Sequence, residues 1–197
     1  MTELRRQAPL TDAARLFSGY HFRSAIRNYP AGPLPVLQVN DFDRKGRFVA
    51  ERLARIRPDF DSSPYLLEKT DVLFLARGGR NWARTAAHAA GMITPGNFYI
   101  LRPDLHRADP GYLAWWLNSL AARRQLGTVQ QGSKVRFVPL SEFRALTLPL
   151  PPLAVQQRIA ELQNLSTHEY ATMTRLRNAR ASIAEALALE AATAGRQ

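Results

Sequence analysis

Hydrophobic residues are spaced in two different ways along this chain, and the change falls near residue 150. Before it, short apolar runs alternate with loops rich in Gly and Pro. The runs with the length and composition of strands are 36–39, 71–75, 97–101 and 146–150. From Leu153 to about Ala192 the chain has no Pro or Gly, and apolar residues recur at helical spacing. The pattern predicts an α+β domain followed by one long helix.

Two helices are predicted within the first part. Thr11 and Asp12 are typical N-cap residues and Gly19 is a typical helix stop, so we expect an opening helix between them. Asp109-Pro-Gly predicts the start of a second helix, in which at least one of two adjacent tryptophans packs in the core. The Gln-rich segment 127–132 is predicted to be an exposed loop.

The long helix carries an apolar stripe along one side. The residues of the apolar stripe are Ile159, Leu162, Leu165, Met173, Leu176, Ile183 and Leu187. Glu169 and Arg180 interrupt it. A solitary helix with such a stripe is marginal without a partner surface, so the pattern favours pairing of the coiled-coil type.

Charge points to the kind of partner. The chain has 197 residues, 46% of them hydrophobic, and a formal net charge of +11. Nearly all the positive charge is Arg, whose planar fork suits phosphates and guanine edges. Nucleic acid is therefore the favoured partner. A GC-rich genome, which encodes Arg at many solvent-exposed positions, would give the same excess of positive charge.

The residue types and their spacing give little support for a catalytic site. Without cysteine there are no disulfides, thiolate zinc sites or Cys nucleophiles. The four histidines are scattered, so neither a metal site nor a cofactor is expected in this chain. Glu68 and Lys69 are adjacent and would point to opposite faces of a strand, which argues against a nuclease site. No apolar run is long enough for a signal peptide or a membrane span, so we expect a cytoplasmic protein.

Two polar loops are the candidate binding elements. The first follows the predicted strand 71–75 and carries Arg77, Gly78, Gly79, Arg80, Asn81 and Arg84. The second carries Lys134 and Arg136 beside a Gln-Gln-Gly-Ser sequence. Such loops reach phosphates and base edges. Composition alone also allows solvated surface loops.

Four segments resemble the specificity (S) subunit of type I restriction-modification systems. They are Ser18-Gly-Tyr-His-Phe-Arg23 after the opening helix, Lys69-Thr-Asp-Val-Leu-Phe74 with Arg77-Gly78, Pro110-Gly-Tyr-Leu-Ala-Trp-Trp-Leu, and Leu148-Pro-Leu-Pro-Pro-Leu-Ala-Val-Gln-Gln-Arg-Ile-Ala160. The last is the most specific, because a proline pair is followed by Gln156 and Ile159. Thr70 stands where Gly is usual in the family, and Val155 where Glu is commonest.

The resemblance implies a half-length S subunit, since S subunits usually carry two recognition domains and two helices. It implies a target-recognition domain over residues 1–150, with a mixed, twisted sheet and flanking helices. Residues 151–197 would form a helix for homodimerisation and methyltransferase docking. DNA contacts would come from Tyr20, His21 and Arg23 and from the two polar loops. The implied partners are double-stranded DNA, a DNA adenine methyltransferase subunit that uses S-adenosylmethionine, and in some assemblies a translocating restriction subunit.

Two other functions remain open at this point. One is a stand-alone DNA-binding regulator or anti-restriction decoy with the same fold. The other is a recognition subunit of a different phage-defence system. A neighbouring methyltransferase gene favours the specificity subunit, and its absence favours the regulator.

Overall fold

A computed structural model describes residues 7–42, 48–78, 81–129 and 137–194. The strands are β1 Gln7–Pro9, β2 Ala14–Ser18, β3 Leu34–Val36, β4 Ala54–Ile56, β5 Val72–Leu75, β6 Ala83–Thr85, β7 Phe98–Pro103 and β8 Thr147–Pro149. The helices are α1 Pro110–Asn118, α2 Leu120–Val129, α3 Leu140–Arg144 and α4 Leu153–Ala194. The α+β class and the long C-terminal helix are confirmed. The chain divides into two compact units, with the boundary between Gln157 and Arg158.

The larger sheet has the strand order β2-β7-β5-β6, and its neighbouring strands are antiparallel. Every residue of β5 is buried, as the compact apolar run in the sequence predicted. All of β7 is buried except Arg102, which is half-buried. Strands whose sequence is a continuous apolar run are buried on both faces, so this sheet lies between two layers of other elements.

The two faces of the sheet have different covers. On one face, side chains of β5 and β7 pack against the long connections in an apolar cluster of Leu37, Leu67, Leu73, Leu75, Ala86, Ala89, Phe98 and Ile100. On the other face, α1 packs against β5 and β6. There Phe143 of α3 stacks on Phe74, with the ring centroids 4.4 Å apart.

Two small sheets complete the domain. β1 pairs with β8, and β3 pairs with β4, both antiparallel. Isolated parallel bridges join Tyr20 to Pro95 and Val36 to Ile93. The segment before β7 therefore lies between β3 and the residues that follow β2.

Helix α1 begins where the sequence predicted. The Asp109 carboxylate caps it by accepting a hydrogen bond from the Tyr112 N–H at 2.8 Å. Trp116 is buried and Trp115 is half-buried, so at least one tryptophan packs in the core, as predicted. The helix ends at Asn118, whose side chain accepts from the Ala83 N–H at 3.0 Å and donates to the Ala83 carbonyl at 2.8 Å. Asn118 thus pairs with the edge strand β6 as a further strand would.

The opening helix predicted from Thr11 is wrong. A single 3-10 turn at Leu10–Asp12 precedes β2, which pairs with β7 over its whole length. Ala14 and Leu16 are buried while Arg15 is exposed, which is the alternation of a half-buried strand. Pairing with β7 outweighs the local helix signals.

The loop predicted at 127–132 is wrong in its first three residues. They belong to α2, which buries Ala122 and Leu126 four residues apart on one side. The rest of that segment lies outside the described residues.

A partly buried ion pair connects the residue before β5 to β7. The Arg102 guanidinium donates to both oxygens of Asp71, at 2.9 and 2.8 Å, and its third nitrogen lies 2.7 Å from the Glu68 carboxylate. Asp71 is fully buried, and hydrogen bonding to Asp71 raises the pKa of Arg102 although burial opposes the shift. Glu68, which the sequence analysis argued against as part of a nuclease site, takes part in this ion pair.

Gln156, in the first turn of α4, is fully buried. Its side-chain oxygen accepts from the Asp109 N–H at 2.9 Å, and its nitrogen donates to the carbonyls of Arg107 and Pro151 at 2.9 and 2.8 Å. The glutamine of the proline-to-helix motif therefore satisfies three backbone groups around the start of α1.

Candidate nucleic-acid interface

The candidate loops leave the larger sheet at one end. β2 and β5 both run antiparallel to β7, so they are parallel to each other and end side by side. Ser18 at the end of β2 is opposite Tyr99, and Leu75 at the end of β5 is opposite Phe98. We call this the loop end of the sheet. The two strands are separated there by β7, which is about 10 Å at ordinary strand spacing.

The described flank of the 130–136 loop also lies at the loop end. Phe137 forms a bridge with Arg77, and the Arg77 guanidinium lies 5.0 Å from the Phe137 ring centroid. The Val138 N–H donates to the Ala76 carbonyl at 3.1 Å. Described flanks of all three predicted binding segments therefore lie at one end of the sheet, and for the 130–136 loop this is its C-terminal flank. The predicted contacts Gly79, Arg80, Lys134 and Arg136 themselves lie outside the described residues.

A buried hydroxyl supports this junction. Tyr99 donates to the Val138 carbonyl at 2.6 Å. Burial raises the pKa of Tyr99, while the positive charge of Arg77 opposes that shift. The hydroxyl thus stays protonated at neutral pH and keeps its hydrogen bond. Arg77 itself is exposed, with its charge available at the surface.

His21 is exposed and held in place at the loop end. Its Nε2 lies 3.0 Å from the Ser18 Oγ. Its ring rests on Gly96, where an added Cβ would come within 2.5 Å of the ring. Gly19 is more firmly constrained, because a Cβ there would collide with the backbone carbonyls of Thr94 and Pro95, whereas the exposed His21 ring beside Gly96 can move. The close approach of the backbone explains glycine at position 19.

Tyr20 and Arg23 differ in exposure. The Tyr20 ring is half-buried and stacks on Phe60 at a centroid distance of 3.7 Å, with Phe22 and Tyr65 in edge-on contact. Tyr20 therefore supports its loop by aromatic packing. Arg23 is exposed.

The remaining predicted contacts surround the Arg77 loop. Gly78 has a φ of +151°, a conformation that L side chains rarely adopt. Asn81 donates from its side chain to the Leu75 carbonyl at 2.8 Å, which closes the loop onto the end of β5. Arg84 is exposed on the edge strand β6, with its guanidinium 5.7 Å from the Trp82 ring centroid.

Asn97 is a residue at the loop end that the sequence analysis did not single out. Its backbone carbonyl accepts from the N–H groups of Ala76 and Arg77, at 2.9 and 3.3 Å. Its side-chain oxygen is buried, and among the described residues it alone is buried without a hydrogen-bond partner. The available signal was a Gly-Asn pair immediately before a strand.

The described residues also bear on metals and membranes. In ranges 7–42, 48–78, 81–129 and 137–194, no three His, Cys, Asp or Glu side chains come together in a way that would hold a metal ion. Within the same ranges, none of the helices has the combination of length and apolar character needed to cross a bilayer.

The apolar stripe of α4 is exposed over most of its length. Ile159 is half-buried. The other stripe residues expose between 46% of the residue at Leu176 and 66% at Leu162. Side chains of this kind in a row along one helix are typical of a surface that binds another protein surface.

The sequence matches no protein-family model and no curated protein. Among solved structures, the chain is similar to the S subunit of a type I restriction-modification system from M. genitalium, at 13% identity and a TM-score of 0.57, over 81% of this chain and 38% of that one. It is similar to the HsdS subunit from Thermoanaerobacter tengcongensis, at 19% identity and a TM-score of 0.63, over 86% and 39%. A third similar chain comes from a structural study of assembly and conformational transition in a type I system, at 18% identity and a TM-score of 0.59, over 92% and 45%.

These comparisons establish the fold. The chain has the fold of type I restriction-modification S subunits, as its sequence motifs predicted. It spans about two fifths of the length of the solved chains, covering 38%, 39% and 45% of them.

Proposed function

We propose that the chain is a sequence-specific DNA-recognition subunit that directs a type I restriction-modification methyltransferase to its target. Residues 1–150 recognise one half of a split target. Residues 151–197 pair with a second copy and dock a DNA adenine methyltransferase, which brings its own S-adenosylmethionine. A translocating restriction subunit is a further partner in this proposal. The chain supplies recognition, and its partners supply catalysis.

The observation that supports the proposal is that described flanks of three predicted binding segments lie at the loop end of a sheet with this fold. Loops on a rigid scaffold are where recognition residues concentrate. His21 and Arg77 are exposed there, Arg23 is an exposed residue two positions after His21, and Arg80, Lys134 and Arg136 belong to the other two loops by sequence. Arg and His side chains are suited to phosphates and to guanine edges.

Net charge supports a polyanionic partner. At +11, the chain would be attracted to duplex DNA over long distances. Each neutralised phosphate releases counterions, so binding should weaken with salt by a slope of about −0.9 per phosphate contact. Salt-independent binding by the assembled complex would contradict the proposal.

The sharpest test compares an arginine that follows β5 with an arginine in β2. Arg77→Ala removes a charge at the loop end, and Arg15→Ala removes the same charge from an exposed residue near the other end of β2. We expect Arg77→Ala to weaken target binding by the complex by about 1–3 kcal/mol and to change unfolding by less than about 0.5 kcal/mol. Fluorescence anisotropy with methyltransferase present measures the first, and urea unfolding the second. Equal losses from both variants would contradict the loop-end assignment.

Methylation of genomic DNA tests the paired arrangement. Two identical recognition domains related by a two-fold axis meet the same half-site twice, so the target should be an interrupted inverted repeat. Sequencing of methylated adenines in cells that carry this chain and its methyltransferase measures that target. Two unrelated half-sites, with no second specificity chain present, would contradict pairing of identical chains.

A further inference from the structure

Positive charge is also concentrated in a part of the domain that the sequence analysis did not single out. Segments 13–40 and 52–58 contain six arginines and no Asp or Glu. The structure brings the two segments together, because the Tyr29 N–H donates to the Arg55 carbonyl at 2.8 Å and the Arg55 N–H donates to the Asn28 side chain at 3.0 Å. The residues at this junction, which we call the Arg57 patch, are Arg27, Tyr29, Arg55 and Arg57.

Arg57 is an exposed arginine held over an aromatic ring. Its guanidinium lies 4.3 Å from the ring centroid of Tyr29, which is 43% exposed. The attraction comes from the π electrons of the ring, so the guanidinium stays charged and keeps N–H donors for another acceptor. Asp59 is only two residues further along, yet among the described residues Arg57 has neither a hydrogen-bond acceptor nor an ion-pair partner.

The turn that carries Tyr29 is fixed by hydrogen bonds to its backbone. The Gly32 N–H donates to the Tyr29 carbonyl at 2.7 Å and closes the turn. The Arg55 guanidinium donates to the carbonyls of Gly32 and Pro33, at 2.6 and 2.9 Å. A Cβ at Gly32 would collide with the backbone of β4, so the turn lies directly against that strand. The aromatic ring of the patch is therefore preorganised, and little ordering of the backbone is needed when a ligand binds.

The chemistry of the patch favours a polyanion over a protein surface. Ile26 and Ile56, the nearby aliphatic residues, pack inward against a buried cluster that includes Val36. The patch therefore presents guanidinium groups and one aromatic ring, with no aliphatic surface beside them. Protein interfaces usually have an apolar core, whereas nucleic-acid interfaces are polar and strongly positive.

The Arg57 patch is close enough to the loop end to contact the same duplex. Tyr29 is nine residues after Tyr20, which lies at the loop end, so their Cα atoms are at most about 32 Å apart. One helical turn of B-DNA is about 34 Å long. A duplex bound at the loop end therefore has backbone phosphates, within one turn, at the distance of the patch.

We propose that the Arg57 patch binds a backbone phosphate of the duplex outside the base pairs that the loop end recognises. A phosphate is negatively charged and accepts two hydrogen bonds from the arginine fork, and it carries no sequence information. Arg57 donates to the phosphate, Tyr29 positions Arg57, and Arg27, which is exposed two residues before Tyr29, adds positive charge. This inference rests on the proposed function, in which duplex DNA is the partner, and adds a second contact surface to it.

Arg57→Ala in the full chain, assembled with its methyltransferase, tests the phosphate contact by fluorescence anisotropy. The duplex carries the target and about ten further base pairs on each side, which is one helical turn. Binding should weaken about three- to tenfold near 0.1 M salt, and the slope of log affinity against log salt should become shallower by about 0.9. The loss should be the same on a duplex of scrambled sequence, because a phosphate contact does not distinguish bases.

Arg15→Ala is the matched control. Arg15 is also an exposed arginine over an aromatic ring, 5.2 Å from the ring centroid of Phe17, and it lies near the other end of β2. The substitution removes the same charge and the same kind of aromatic contact. We expect it to leave the salt slope unchanged.

Two further variants separate the charge of Arg57 from its position. Arg57→Lys keeps the charge, so it should keep the salt slope and stay within about threefold of the original affinity. Tyr29→Leu keeps every charge but removes the ring beneath Arg57. It should weaken binding about two- to fivefold and have no further effect in the Arg57→Ala background. The urea midpoint of each variant checks that the fold is intact.

Shortening the duplex tests where the phosphate lies. On a duplex trimmed to the target itself, the phosphate that the patch contacts is missing. The Arg57→Ala complex should then bind as tightly as the original complex, whereas Arg77→Ala should still weaken binding. An equal loss from Arg57→Ala on the long and the trimmed duplex would overturn the placement of the contact outside the target.

The outcomes separate this inference from the proposed function. A salt slope that Arg57→Ala leaves unchanged, or a loss confined to the target sequence, overturns the phosphate contact and leaves recognition at the loop end in place. Weaker assembly of Arg57→Ala with the methyltransferase in the absence of DNA, measured by sedimentation, would show that the patch faces that protein and would also overturn it. Salt-independent binding by the original complex overturns the proposed function as well.

Discussion

Gln156→Leu offers a direct measure of how much the start of α4 contributes to the recognition domain. The substitution keeps the size of the side chain and removes its hydrogen-bonding groups. Because Gln156 is fully buried, water cannot replace what is lost. The Asp109 N–H and the carbonyls of Arg107 and Pro151 are then left without this partner.

The magnitude follows from those three groups. A buried backbone group left unpaired costs about 1–3 kcal/mol, and the gain from burying leucine offsets part of the sum at about 25 cal/mol per Å². We expect the free energy of unfolding to fall by about 2–4 kcal/mol. Urea denaturation followed by tryptophan fluorescence measures it, since Trp115 and Trp116 lie in α1, directly after the Asp109 cap.

Gln157→Leu is the matched control. It makes the same chemical change one residue later, where the side chain is exposed, and should alter stability by less than about 0.5 kcal/mol. If the two variants lose similar stability, the loss arises from leucine in the helix itself. The reasoning from the three buried hydrogen bonds would then be refuted.

Three further predictions follow from other contacts. Gly96→Ala should displace the His21 ring and weaken DNA binding about three- to tenfold, the equivalent of one lost hydrogen bond, measured by anisotropy. In a His21→Ala background it should have no further effect. Arg102→Met should lower the free energy of unfolding by about 3–5 kcal/mol, measured in urea, because it leaves Asp71 charged and buried. A loss under about 1 kcal/mol would contradict this, because losses of that size are typical of solvent-exposed ion pairs. Burial raises the pKa of Asp41 from its usual 3.8, so the protonated carboxyl stabilises the folded state below pH 3.8, and this stabilisation is lost as the pH rises through the folded pKa. Asp41→Asn should remove this component, so the free energy of unfolding measured in urea should fall less between acid and neutral pH. An unchanged pH dependence would contradict the shift.

Elements with a strong local pattern were predictable from the sequence. β5 is a compact apolar run, α1 has an Asp-Pro-Gly start, and α4 has a long stretch free of Pro and Gly, so each is specified by its own residues. The opening segment was mispredicted for the opposite reason. Its caps favour a helix locally, but Ala14–Ser18 gains more by pairing with β7, some eighty residues away in the chain.

Short strands account for most of the rest. β1 and β6 have three residues each, and their pairing with β8 and β5 leaves little trace in local periodicity. At the candidate interface, the sequence identified the loops by their Arg and Gly content. It could not show that the loops share one end of the sheet, because that depends on β2 and β5 both pairing antiparallel with β7 and therefore ending side by side. The packing of Tyr20 against Phe60 was hidden for the same reason.

The side chain of Asn118 has a consequence for how the loop before β6 can change. A free sheet edge is a template for adding strands from other chains, and natural proteins block such edges. Here Ala83 is blocked by Asn118 at the end of α1, which is not part of the loop that precedes β6. That loop can therefore gain, lose or exchange residues without opening this point of the edge to aggregation.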